Sequence, residues 1–126
     1  MKLVISVFLL SFTLNLMAEE HALKESQYKY VKQSIGKGKA YFLEVGSNSC
    51  RSCQIMSDML YKVTQKHPTY NIHFINVKKE REAAIELEVR MIPTQIIYDE
   101  NGKEVYRNIG VLSGAELSRL FETYKF

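Results

Sequence analysis

No tryptophan occurs anywhere in the chain, and 126 residues contain only two cysteines, two prolines and six glycines. With glycine and proline this sparse there is no low-complexity tract, linker or internal repeat. The length, with near half of the residues apolar and near a quarter charged, fits one globular domain with one core. Two cysteines are too few for a small secreted scaffold stapled by several disulfides. They are also half of what a zinc site needs, and only His21, His67 and His73 remain as partners; His67 at a helix end and His73 in a strand read as structural positions. A dominant charge is missing as well. The formal charge is +3, and without Lys2 it is 3 − 1 = +2, too weak and scattered to suggest nucleic acid or an anionic membrane surface.

Long apolar runs are absent with one exception, residues 3–16. That run follows the positive Lys2 and precedes Met17-Ala18 and the acidic pair Glu19-Glu20, which is the layout of a secretory signal peptide. It falls short of the ~20 residues of a membrane-spanning helix, and Ser11, Thr13 and Asn15 dilute it. Residues 1–18 are therefore expected to be a signal peptide cleaved near Ala18, although Leu16 is not the small residue preferred three positions before the cut. No cysteine follows the run to carry a lipid. The domain proper is residues 19–126, and its expected location is periplasmic or otherwise exported, where a disulfide persists.

The apolar periodicity predicts an order of elements. Residues 20–35 are helix-compatible, with Leu23, Tyr30, Val31 and Ile35 as a rough apolar face ended by Gly36-Lys37-Gly38. Residues 40–45 read as a buried strand whose only charge is Glu44. A helix is expected from about Cys50 to Lys66, with Cys53, Met56, Leu60 and Val63 on its inner face and His67-Pro68 as its end. Residues 72–77 read as a second strand and 80–89 as a short helix. Residues 94–98 and 104–109 read as two further strands, joined by Asn101-Gly102, a tight-hairpin signal that makes them antiparallel. Ser113 and Glu116 form a capping box for a last amphipathic helix. The alternation argues for a parallel β-α-β start, an antiparallel end and a mixed sheet covered by helices.

Cys50-Arg51-Ser52-Cys53 begins the second helix. Unpaired N–H groups and the helix dipole favour a thiolate at Cys50, and Arg51 adds a positive charge. The thiolate is the attacking species in thiol–disulfide exchange, so Cys50 is the candidate nucleophile and the inward Cys53 the candidate resolving thiol. A purely structural disulfide across so small a loop removes little chain entropy and is the weaker reading. Pro93, just before an apolar strand, marks a rigid turn. Glu44, in a strand that can be buried on both faces, is expected to have a raised pKa and to exchange a proton with a nearby thiol.

From Ala40 onward the chain resembles the thioredoxin family. The resemblance rests on the strand-turn-Cys50-Arg-Ser-Cys53-helix unit, on Val89-Arg-Met-Ile-Pro93-Thr94, and on the tail from Asn101 through Gly110 to the capped last helix. It implies an α/β thioredoxin fold: a mixed four-stranded central sheet with helices on both faces. It implies a cis bond at Ile92-Pro93, with the Ile92 backbone free to pair with an extended substrate beside Cys50, and it places Arg51, Ile92, Pro93 and Thr94 in the substrate-binding region. Glu44, six positions before Cys50, matches the family's buried acid. No cofactor is implied beyond the redox-active Cys50–Cys53 pair. The chain departs from the family in having Ser49 in place of the tryptophan before the first cysteine, Arg51-Ser52 between the cysteines, and no evident first strand. Cys50-x-x-Cys53-x-x-Met56 is similar to exported thioredoxin-like proteins and to the C-terminal domain of the membrane thiol-electron transporter.

The expected function is an exported thiol–disulfide oxidoreductase, working as a monomer on protein disulfide or dithiol substrates. Ile92 and Glu44 resemble those of reductants, whereas Arg51 stabilises the reduced form and so pushes toward oxidant. The balance favours a reductase supplied by a membrane thiol-electron transporter, with apocytochromes c among its substrates. The alternatives are a disulfide-introducing oxidant, an isomerase, or a non-catalytic binding module on the same fold. The chain lacks the helical insertion of the first and the dimerisation domain of the second, and its intact cysteine pair argues against the third.

Overall fold

The computed structural model describes residues 21–126; the expected signal peptide and its cleavage position lie outside the described residues. Four strands and four helices follow one another as α1 (Tyr28–Ser34), β1 (Tyr41–Gly46), α2 (Arg51–Lys66), β2 (Ile72–Asn76), α3 (Arg81–Glu86), β3 (Thr94–Tyr98), β4 (Glu104–Ile109) and α4 (Gly114–Thr123). The sheet order is β2-β1-β3-β4. β1 pairs parallel with β2, while β3 pairs antiparallel with both β1 and β4. This is the expected mixed sheet, with its parallel crossover through α2 and its hairpin at the far end.

Every residue of β1 is buried, because both faces of this central strand are covered. Side chains alternate across a strand. Tyr41, Leu43 and Val45 accordingly join Val31 of α1 and Ala83 and Leu87 at α3 in one core. Phe42 turns the other way and joins Met56 and Leu60 of α2 and Leu117 and Phe121 of α4 in a second. Burying each large apolar side chain contributes roughly 1.5–3 kcal/mol. Glu44 shares the face of Phe42 and therefore lies under α2.

Two expectations need correction. The first helix does not fill residues 20–35: it begins at Tyr28, and Tyr30 is exposed. Ahead of it Glu25 makes an isolated parallel bridge with Phe74, and the Ser26 N–H donates to the Phe74 carbonyl. The unpaired edge of β2 captures this segment, leaving a single bridge where a first strand would lie. α3 is also shorter than residues 80–89. Leu87 caps it, and Glu88 takes a left-handed φ of 55° that ends the helix. The Asn101-Gly102 hairpin joins β3 and β4 antiparallel, as expected. Asp99 N–H donates to the Lys103 carbonyl, and the Asp99 carboxylate accepts from the N–H groups of Asn101 and Lys103. The loop is thus Glu100-Asn101-Gly102, with Gly102 at φ 86°, the three-residue alternative in which a left-handed residue follows a type I turn. Among the described residues no helix is long and apolar enough to cross a membrane.

Candidate functional site

The site lies where β1 ends and α2 begins. Cys50 is the N-cap of α2, and its Sγ accepts the Cys53 N–H at 3.4 Å, filling the role an N-cap hydroxyl usually plays. α2 has no acidic residue in its first turn to oppose charge on that sulfur. One turn on, Cys53 is buried against Gly46, the last residue of β1. A Cβ at Gly46 would stand 3.0 Å from the Cys53 Sγ and 3.2 Å from its Cβ. Glycine at this position lets the second sulfur settle onto the sheet.

The two thiols differ as a nucleophile and a reserve should. Burial works against charge on Cys50, yet hydrogen bonds from the Cys53 thiol, the Cys53 and Ser52 N–H groups and the Ser52 side chain outweigh it, and its pKa falls below the ordinary thiol value. Burial pushes the Cys53 thiol up to about 12, helped by its bond to Cys50 and by negative charge on Cys50 and Glu44, and opposed by the Ser47 backbone. Near neutral pH Cys50 is the sulfur with thiolate character, and Cys53 stays protonated until a base reaches it.

Glu44 is 1% exposed. Burial lifts its carboxyl to about 8; a hydrogen bond from Gln95 opposes the shift and charge on Cys50 adds to it. The Gln95 Nε2 lies 3.2 and 3.4 Å from the two carboxylate oxygens. Charge on Glu44 is felt at Cys53, and charge on Cys50 at Glu44, so the acid and the two thiols are electrostatically linked.

The other predicted residues divide. Ile92–Pro93 is a cis peptide bond. Pro93 and Thr94 are buried, Thr94 pairs with Val45 beside Gly46, and the Pro93 carbonyl accepts the Gly110 N–H. The start of β3 is thereby fixed next to the end of β1. The Thr94 hydroxyl donates to the Met91 carbonyl and so holds the turn rather than offering itself to a ligand. Exposed Met91, Ile109 and Val111 and half-buried Ile92 form an apolar rim there. The Arg51 side chain is exposed and lines a groove that reaches Cys53, with Ser47, Asn48, Gln54 and Asp58; Ile92, Pro93 and Thr94 do not line it. The groups that favour the Cys50 thiolate are the Cys53 and Ser52 donors, since a charge on an exposed side chain is screened by water.

Gly46, Ser52, Gln95 and Asn108 are parts of the site that residue type alone does not reveal. One signal was available: Gln95 is a polar residue next to Ile96-Ile97 in a strand read as buried. Among the described residues no group of three or more His, Cys, Asp or Glu side chains stands ready to hold a metal.

Comparison with known proteins agrees with this geometry. Residues 28–125 match the family described as thioredoxin-like domain. A thioredoxin of Mycoplasmoides gallisepticum is 27% identical over 90 residues, covering 71% of this chain and 89% of that protein. Among solved structures, chloroplastic thioredoxin z superposes with a TM-score of 0.73 at 14% identity, over 82% of this chain and 95% of that one. The thioredoxin of Malassezia sympodialis gives 0.69 at 17% identity over the same shares, 82% and 95%.

Proposed function

Taking as premise that the chain belongs to the thioredoxin-like domain family and is a thiol–disulfide oxidoreductase, we propose that it works outside the cytoplasm and in the reducing direction. The observation that carries the exchange chemistry is the asymmetry of the dithiol: a capped, partly accessible Cys50 with lowered pKa above a buried Cys53 with raised pKa. In the proposed cycle the Cys50 thiolate attacks one sulfur of a substrate disulfide. A bond forms between Cys50 and that sulfur, the substrate S–S bond breaks, and its other sulfur leaves as a thiolate that takes up a proton. Glu44 then accepts the Cys53 proton, and the Cys53 thiolate attacks Cys50. The Cys50–Cys53 disulfide forms, the mixed disulfide breaks, and the substrate leaves as a dithiol carrying two electrons. A dithiol donor must return those electrons. A membrane thiol-electron transporter fits an exported protein in that role, and apocytochromes c are a fitting substrate class. The reaction needs no cofactor beyond the cysteine pair.

The reducing direction is supported by electrostatics. A potential rises when the thiolate form is stabilised. Here the donors at Cys50 work in that direction, whereas burial of Cys53 and, to a lesser degree, charge on Glu44 oppose a second thiolate. The apolar rim at Met91, Ile109 and Val111 beside the Pro93 turn suits an extended peptide.

The test is mixed-disulfide trapping. Cys53→Ser should accumulate Cys50-linked adducts with disulfide-containing proteins, seen on non-reducing gels and mapped by mass spectrometry, and Cys50→Ser should give none and lose reductase activity to background. Full function in Cys50→Ser would overturn the reading in favour of a binding module.

A further inference from the structure

Beneath the cysteines a row of polar side chains crosses three strands. Glu44 pairs in register with Gln95, and Gln95 with Asn108. Alternation places all three on the sheet face covered by α2 and α4. The Asn108 Nδ2 donates to the Gln95 Oε1 at 2.7 Å and to the Gly110 carbonyl at 3.4 Å, and the Gln95 Nε2 in turn donates to the Glu44 carboxyl. A buried row like this is expensive unless each member is satisfied. Among the described residues no buried side-chain nitrogen or oxygen lacks a partner.

The row has a polarity. A backbone carbonyl can only accept, so Gly110 orients the Asn108 amide with its NH2 toward Gly110 and Gln95. That NH2 holds the Gln95 oxygen, which leaves the Gln95 NH2 facing Glu44. We propose that Gln95, held by Asn108, is the positioning residue for Glu44: it offers the buried carboxyl only N–H donors, so the carboxyl exchanges its proton with Cys53 and not along the sheet. The proposal rests on the reading of Glu44 as the base that serves Cys53. The row also ends at Gly110, whose N–H is bonded to the Pro93 carbonyl, so the base is braced against the same turn that flanks the proposed substrate groove.

The sign of the effect follows from the donors. An N–H bond favours the ionised carboxylate and burial disfavours it. Losing the Gln95 amide removes the favourable part, so Glu44 ionises at higher pH. Since resolution needs the carboxylate, its rate rises with pH as Glu44 ionises, and without Gln95 that limb moves to higher pH.

The experiment measures the rate at which Cys53 resolves a mixed disulfide between Cys50 and a small aromatic thiol, followed spectroscopically from pH 5 to 10. Wild type is compared with Gln95→Met, Asn108→Ala and Glu44→Gln. For Gln95→Met we expect the limb to shift up by about one unit, which slows resolution roughly tenfold below the limb and restores it above. Asn108→Ala, which leaves Gln95 free to turn over, should shift it less in the same direction; that side chain is only half-buried, so this variant keeps the test usable if Gln95→Met folds poorly. Glu44→Gln should remove the limb. If Glu44→Gln removes the limb but both other variants leave its midpoint in place, the positioning role is overturned and the Glu44 reading stands. If Glu44→Gln keeps the limb, the base reading falls, and the positioning role with it.

Discussion

A single methyl group marks the tightest tolerance in the site. Cys53 can lie on the sheet because residue 46 is glycine, and the requirement is one of space, since its φ is not in the left-handed region. Gly46→Ala would press a carbon to within 3.0 Å of the Cys53 Sγ. α2 cannot retreat freely, because Met56 and Leu60 on the same face are fully buried. Overpacking of this kind costs about 1–3 kcal/mol. Chemical denaturation of the reduced protein should show that loss, with mixed-disulfide resolution slowed more than the initial attack by Cys50, because the displaced sulfur is the resolving one. Equal slowing of both steps would mean that the substitution acts on the whole site. Cys50, Cys53 and Glu44 were recognisable from residue type and spacing. Gly46, Gln95 and Asn108 were not, because their importance comes from strand register. Arg51 is exposed at the start of α2, where water screens its charge.

Elements were legible where periodicity and caps agree. α4 illustrates this: Ser113 Oγ accepts the Glu116 N–H, and the Glu116 carboxylate accepts the Ser113 N–H at 2.7 Å. The cap starts the helix that places Leu117 and Phe121 over Phe42 and Ile97. Ser113→Ala should cost about 1 kcal/mol, read as a lower urea midpoint with an unchanged m-value, and leave the Cys50 thiol titration unchanged. An altered thiol titration would show that α4 does more than close the core. Where cap and periodicity disagree, boundaries were not legible. Residues 20–27 look helical in composition, but β2 offers an open edge and Glu25 is drawn into a bridge with Phe74. The Glu25 carboxylate then accepts from Asn48, Asn76 and Lys79, tying the segment to the turn before Cys50. These contacts are long-range, and no local pattern encodes them. The hairpin loop is the opposite case. Asn101-Gly102 correctly announced a turn, and the Asp99 carboxylate, acting two and four residues away, decided which turn.

At the scale of the whole molecule, the sheet acts as a fixed platform that sets two thiols and one acid in different surroundings. The central strand carries Glu44 at its buried middle and Gly46 at its end, α2 begins at Cys50 over that end, and the antiparallel β3 returns Pro93 and Thr94 to the same edge. Order of elements was therefore enough to foresee where the chemistry gathers, since the end of a strand leading into a helix is where α/β sheets build sites. The same platform bears on the proposed direction. Burial of Cys53, joined above about pH 8 by charge on Glu44, opposes a thiolate beneath Cys50, whereas a disulfide carries no charge to be opposed. On the proposed reading the oxidised form is correspondingly favoured and the reduced form donates electrons. The most direct measurement is equilibration of the protein against glutathione buffers, with the reduced fraction determined by thiol alkylation. A potential close to thioredoxin's, about −270 mV, is expected; a value near about −120 mV, typical of a strong disulfide donor, would mean that the protein oxidises its substrates instead.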